Sequence, residues 1–501
     1  MLATAKNSIR VVPQLDRCPR LAALVQTPAG KIAAALAFAV LLLLNGETRY
    51  LELGAFILAM SFFPRYRRLL LSGATLYWLI LHPNWIRQGL IRKVAAVEGY
   101  ADGWGLVLAA AMALCAVLCA LGWLLRFVAM RRDHVIARRP VLVMVAAFLC
   151  LLVAAGILPL HGAARVALWI LVAVTGPYLW FFAYALGDYA SPSHDPYRLQ
   201  VGTFFPFWMG SSVSPTPMGK GAAYLRKVEA RTPKDLAVVQ LKAIKLLLWI
   251  LVLNLMLMVF RAVVYGAVSP AAADFCRVHG FHVFSLHVPT LGAALEQTAA
   301  GHSPRLAMAW AGVVAHFLDG VLSVPIAGNM VVACVRMAGF HILRNTYKPL
   351  YATTVAEFWN RFYYYFKELL VEFFFFPTYI RYFKHNRRLR LAVATLAAAT
   401  LGNLVYHFCR DSDYVFYLGL WRALAGFQVY AFYALVLGLA ISISQWRGKH
   451  APESLPFYRR VISSAGVIGF YCLLEIFDYE GRNHSLRTHL AFFGSLCPVA
   501  R

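Results

Sequence analysis

The run WGLVLAAAMALCAVLCALGWLL, residues 104–125, carries no charged side chain. A helix of that length rises roughly 33 Å at about 1.5 Å per residue, enough to cross a hydrocarbon core about 30 Å thick. Lipid offers the backbone no hydrogen-bond partner, so such a run must close its own bonds as a helix. Residues 141–160, 166–187 and 423–446 read the same way. Shorter apolar runs at 32–44, 50–63, 69–81, 246–260, 320–335, 391–405 and 461–474 are short or tilted spans, or re-entrant segments. The expected fold is therefore an all-α, polytopic transmembrane helical protein with about ten to twelve spans.

Composition agrees. Of 501 residues, 61% are hydrophobic and 14% charged, and the mean hydropathy is +0.63. Soluble domains are about 25% charged, so this chain lacks the polar surface to face water all round. The net charge of +26 would suit nucleic acid, but its placement argues against that partner. Basic residues bunch between apolar runs, at 65–68, 87–93, 131–139, 220–245, 381–390 and 447–460. This is the pattern of cytoplasmic loops, with a part left over for anionic lipid headgroups. The lipid bilayer is the partner this charge implies. The first apolar run lacks a small-residue cleavage site and reads as a retained first span. The nine cysteines are scattered singly and read as small packing residues, with no zinc, other metal or disulfide framework among them.

Texture divides the chain. Residues 1–190 form a series of apolar helices and basic turns, a scaffold. Within 191–480, the polar interval 191–245 is rich in Pro, Gly and Ser, and the apolar runs after it hold ionisable groups. These include Arg261, His316, Asp319, Glu368, Glu372, His407, Arg422 and Glu475. A charge at membrane depth is costly and faces a partner or a wet cavity, so the working site is expected in this half. Residues 481–501 form a tail.

The densest set of signals lies between Gly328 and His407. Arg336, Gly339 and Phe340 come first, followed by Asn345, Pro349, Ala352 and Thr353. Phe358, Trp359 and Arg361 are next, then Pro377, then His407. Order and spacing together resemble the membrane-bound O-acyltransferase (MBOAT) family, in its bacterial branch that acylates envelope polymers. Upstream, Thr203-Phe204-Phe205-Pro206, Ser214-Pro215-Thr216-Pro217 and the basic lead-in at 235–249 are similar to further family segments. The likeness covers residues 180–410. Tyr363 stands where the family has His or Asn, with Asn360 one turn earlier. Gly402-Asn403 stands near a usual Gly-Gly, and Tyr406 replaces a tryptophan before the histidine.

The resemblance implies an inner-membrane enzyme with no bound cofactor. It would take an acyl thioester donor, coenzyme A or a carrier protein, and a hydroxyl acceptor on an envelope glycan or secreted small molecule. A periplasmic or carrier-protein partner is consistent with it. His407 is then the general base; otherwise it caps a helix at the interface. Tyr363 or Asn360 would donate to the thioester carbonyl as it becomes an oxyanion, or else sit in an aromatic belt and on a helix surface. Arg336, Lys348 and Arg361 would hold donor phosphates, or anchor helices at the headgroups. Trp359 and Glu372 complete the expected binding residues. Glu368 and Glu372, four apart, are expected to pair with the basic residues 381–390. His316 and Asp319, on one turn, are proton relays or interhelical packing. Competing readings are a non-catalytic scaffold, a transporter using intramembrane charges, and a lipid-linked-sugar glycosyltransferase.

Overall fold

The computed structural model describes residues 11–48, 51–81, 88–100, 103–190, 220–267, 284–302, 304–446, 456–478 and 484–497. Among these there is no strand, only a single antiparallel bridge between Glu229 and Phe340. Among the described residues, seven helices are long and apolar enough to cross a membrane, and up to nine if each of two bent pairs is one span. The protein is an all-α polytopic membrane protein.

Among the described residues, the run 50–63 holds a short turn of 3-10 helix, Leu51–Leu53, and the nine-residue helix Gly54–Phe62, while 69–81 lie in the helix Arg67–Leu81. Two other runs belong to bent pairs. Pro19–Gln26 and Pro28–Leu44 meet at 105°, and Gly162–Gly176 and Leu179–Tyr189 at 61°. The expected tail contains a helix, Leu486–Ser495, with His489 and Phe492 buried. The motifs at 203–206 and 214–217 lie outside the described residues.

Two long helices form the centre. Pro233–Tyr265 and Leu306–Met337 pack along each other. Their charges are matched: the Arg261 guanidinium donates to both oxygens of Asp319 at 2.6 and 2.7 Å. That ties Asp319 to a cation instead of to a proton relay with His316. Nearby, Asn254 donates to Asn45 Oδ1 at 2.8 Å, joining Pro233–Tyr265 to Pro28–Leu44.

Against this centre leans a helical hairpin. One arm is 364–381, in three helical pieces; the other is Arg387–Arg410. Each arm winds into a π-helical turn, Val371–Phe375 in the first and Ala397–Gly402 in the second, and the two turns pack together. Gly402 makes that contact: a Cβ there would lie 2.7 Å from the Phe374 ring. Trp180 covers the seam, stacked on Tyr406 at 5.6 Å and on Phe373 at 6.4 Å.

A buried arginine fixes the end of Leu306–Met337. Arg67 is only 2% exposed and donates to Glu229 Oε1 and to the Ala230 carbonyl, both at 3.0 Å. Its guanidinium passes the Gly339 backbone so closely that a Cβ would sit 2.9 Å from it. Gly339 also has φ +100°, a left-handed conformation that side chains resist. Gly339→Ala is therefore expected to lower stability by about 1–3 kcal/mol, from backbone strain and the Arg67 clash together. Unfolding midpoints in detergent check this, and an unchanged midpoint would contradict it.

Candidate functional site

The segment after Leu306–Met337 folds back as a tight loop, and the family-like residues build it. Arg336 donates twice to the Ile342 carbonyl, at 3.0 and 2.8 Å, and so closes the first reversal. Asn345 sits where Gly328 has no side chain, for a Cβ there would lie 2.6 Å from its amide. Its Oδ1 and its backbone carbonyl accept from Tyr365 N–H and Tyr364 N–H, at 3.3 and 3.0 Å. The Thr346 hydroxyl donates to the Phe362 carbonyl at 2.7 Å, and Tyr347 N–H to that of Arg361 at 2.8 Å. Lys348, at φ +49°, turns the chain into Pro349–Tyr351. The short helix Val355–Phe362 then starts from Thr354, whose hydroxyl accepts from Glu357 N–H at 3.1 Å.

This short helix has two working faces. Glu357, Asn360 and Arg361 turn to a cavity of about 510 Å³, shared with Arg336, Arg344 and Tyr364. The lining holds three guanidinium groups and one carboxylate. Glu357 answers Arg361, taking both its Nε and Nη2 at 2.9 and 2.7 Å. Arg336 and Arg344 are left to make the cavity attractive to an anion. Burial, then the Glu368 carboxylate, push the Tyr364 phenol up to about 12, so it stays a donor at neutral pH.

Trp359 and Tyr363 occupy the other face. Trp359 is buried and packs on Tyr363 at 5.1 Å and on Phe366 at 5.9 Å. Phe366 in turn meets the His407 ring edge-on at 5.6 Å. His407 is half-buried, with Tyr406 at 5.2 Å and the Tyr430 ring at 4.3 Å. Its Nδ1 is shielded from solvent. The histidine thus stands inside an aromatic cage, two ring contacts from the short helix.

Several expected residues stand elsewhere. Asn360 does not share space with Tyr363, because the helix breaks at Tyr363 (φ −124°, ψ 61°) and the two face opposite sides. Burial, then Asp478 and Glu475, hold the Tyr363 phenol well above its usual pKa, which makes it a donor and never a base. Lys348 is exposed beside the Tyr347 and Tyr351 rings, at 5.5 and 5.6 Å, and Trp359 packs in the core; neither lines the cavity. Glu368 and Glu372 do not pair with 381–390. Glu368 takes Lys220 at 2.6 Å and Lys367, while Glu372 lies 3.9 Å from Lys220. Thirteen residues of arm, roughly 20 Å, separate Glu368 from Arg381. Arg344, Tyr364, Asn403 and Tyr430 were not singled out from the sequence as site residues. For Arg344 a signal existed, a second arginine beside Asn345; for Tyr430 none did. Among the described residues no group of three His, Cys, Asp or Glu side chains is placed to hold a metal ion.

Glu357 couples this loop to pH. Burial raises its carboxyl pKa, but the Thr353 N–H and hydroxyl and the Arg361 guanidinium outweigh that and leave it below the usual value. A carboxyl depressed on folding contributes stability above its unfolded pKa, and that stability is lost as pH falls through the folded one. Glu357→Gln should cost about 1 kcal/mol at pH 7. Its unfolding midpoint should converge with that of the parent protein below the carboxylate range. A gap that stays constant with pH would contradict the assignment.

No family model matches the chain, and no curated protein matches it either.

Proposed function

We propose that the protein is a membrane-embedded O-acyltransferase of the MBOAT kind, seated in the inner membrane. It moves a short acyl group, such as acetyl, from a thioester to a hydroxyl of an envelope glycan or a secreted small molecule. One observation carries the reading. A single short helix, Val355–Phe362, offers a cationic cavity on one face and, through Trp359 and Phe366, abuts the caged His407 on the other. A phosphate-bearing thioester has an anionic end and a reacting end, and this arrangement provides for both. The order of residues from Arg336 to His407 supports it independently.

The chemistry follows from the groups available. The acceptor oxygen attacks the thioester carbonyl carbon while His407, as general base, removes its proton. The carbonyl electron pair moves to oxygen and then returns, breaking the carbon–sulfur bond. The thiolate takes the proton from the imidazolium, leaving an ester and a free thiol. Arg336 and Arg344 hold donor phosphates, and the aromatic cage keeps out water that would otherwise hydrolyse the thioester. Tyr363, at a position where the family has His or Asn, favours a second reading as a non-catalytic scaffold.

Purified protein supplied with acetyl-coenzyme A and a hydroxyl acceptor tests the proposal by thiol release. His407→Ala should reduce kcat by about 10²- to 10⁴-fold. Arg344→Ala should raise KM by about tenfold with kcat retained, the loss of one charged hydrogen bond. Equal turnover with and without His407 would remove the base. Absence of turnover with any short acyl thioester would favour the scaffold.

A further inference from the structure

We propose that Asn403 is a second catalytic residue. Its side-chain amide would donate to the thioester carbonyl oxygen as that atom becomes an oxyanion, a role its own orientation by Tyr430 prepares it for. The assignment rests on the acyl-transfer reading given above and deepens it.

Asn403 is fully buried, at 0% exposure, on the arm Arg387–Arg410. Its Oδ1 accepts a hydrogen bond from the Tyr430 hydroxyl at 2.9 Å. Its Nδ2 is shielded from solvent and has no hydrogen-bond partner among the described residues. An apolar site punishes an unmet donor heavily, so a folded protein keeps one where a ligand meets it or where function requires it. The bond to Tyr430 fixes the amide plane and so fixes where Nδ2 points.

Position supplies the second half of the argument. Asn403 and His407 are four residues apart in one α-helical stretch, Asn403–Arg410, and therefore neighbours on one face. Tyr430 touches both, with its hydroxyl on Asn403 and its ring 4.3 Å from the His407 ring. A base and a preset donor one turn apart are the two groups acyl transfer needs. The hydroxyl proton passes to His407. The electron pair of the carbonyl comes to rest on the oxygen held by Asn403, then reforms the carbonyl as the thiolate leaves with the proton. Tyr363 is not required as that donor, which accounts for its tolerating a change from the family residue. Tyr430 acts through Asn403 and His407 and is a positioning residue.

Turnover of acetyl-coenzyme A is the readout, with the parent protein, His407→Ala, Asn403→Leu, Tyr430→Phe and the Asn403→Leu/Tyr430→Phe pair compared. Asn403→Leu should lose about 10²- to 10³-fold in kcat, with KM within about twofold, as for loss of one oxyanion donor. Tyr430→Phe keeps the ring against His407 and removes only the hydroxyl on Asn403, so it should lose less kcat than Asn403→Leu, with KM within about twofold. The paired variant removes both polar partners together and should unfold at the same temperature or a higher one. Retained kcat in Asn403→Leu, in a protein where His407→Ala is inactive, overturns this assignment alone. A matching drop in unfolding temperature for the pair would make Asn403 structural and overturn it too. A parent protein without turnover overturns both the acyl-transfer reading and this one.

Discussion

The contact of two π-helical turns across the hairpin seam sets the position of the candidate reactive residues Asn403 and His407. A π turn places one extra residue in the helix and so rotates whatever follows it. In the arm Arg387–Arg410 that turn ends at Gly402, and the residues rotated are Asn403, Tyr406 and His407. The partner turn at Val371–Phe375 presents Phe374 to Gly402, where no side chain stands in the way. The same first arm carries Phe366, whose ring meets that of His407 at 5.6 Å. The local irregularity thus links packing directly to the candidate chemistry.

Charge is handled in the same spirit. Several ions away from the site are paired: Arg261 with Asp319, Arg67 with Glu229, Lys220 with Glu368. Breaking such a pair strands a charge, so these contacts hold helices in register more than they add net stability. The cavity beside Val355–Phe362 is different, because its guanidinium groups outnumber its carboxylate. That surplus is what a phosphate-bearing donor would neutralise, and it sits on the helix that leads to the histidine.

The fold class was legible because hydropathy is a local property. Residues 104–125 and 141–160 declare themselves as helices by length and absence of charge alone. The form of the shorter runs was less legible, since 50–63 does not reveal that its α-helix, Gly54–Phe62, has only nine residues. In the site, Arg336, Lys348 and Arg361 stood out in the sequence as candidate phosphate holders, and of these Arg336 and Arg361 line the cavity. The rest depended on pairings between distant segments. Nothing in the local sequence says that Glu368 meets Lys220, 148 residues away, instead of the nearer basic turn. Nor does it say that Tyr430 will cross to Asn403, or that the helix breaks at Tyr363 and sends Asn360 to the opposite side. Several residues of the family-like pattern, Gly339 and Asn345 among them, prove to shape the loop, and their contacts are backbone geometry and hydrogen bonds within the fold.

The central claim is that the reacting carbonyl lies at the hairpin seam, against His407. It is tested most directly by photolabelling the purified protein with a short acyl thioester carrying a diazirine in its acyl group, followed by mapping of the labelled residues. The account expects label on Phe366, Asn403, Tyr406, His407 or Tyr430, competed away by unlabelled thioester. Competable label found only on the cavity lining, or on lipid-facing residues far from the seam, would contradict it.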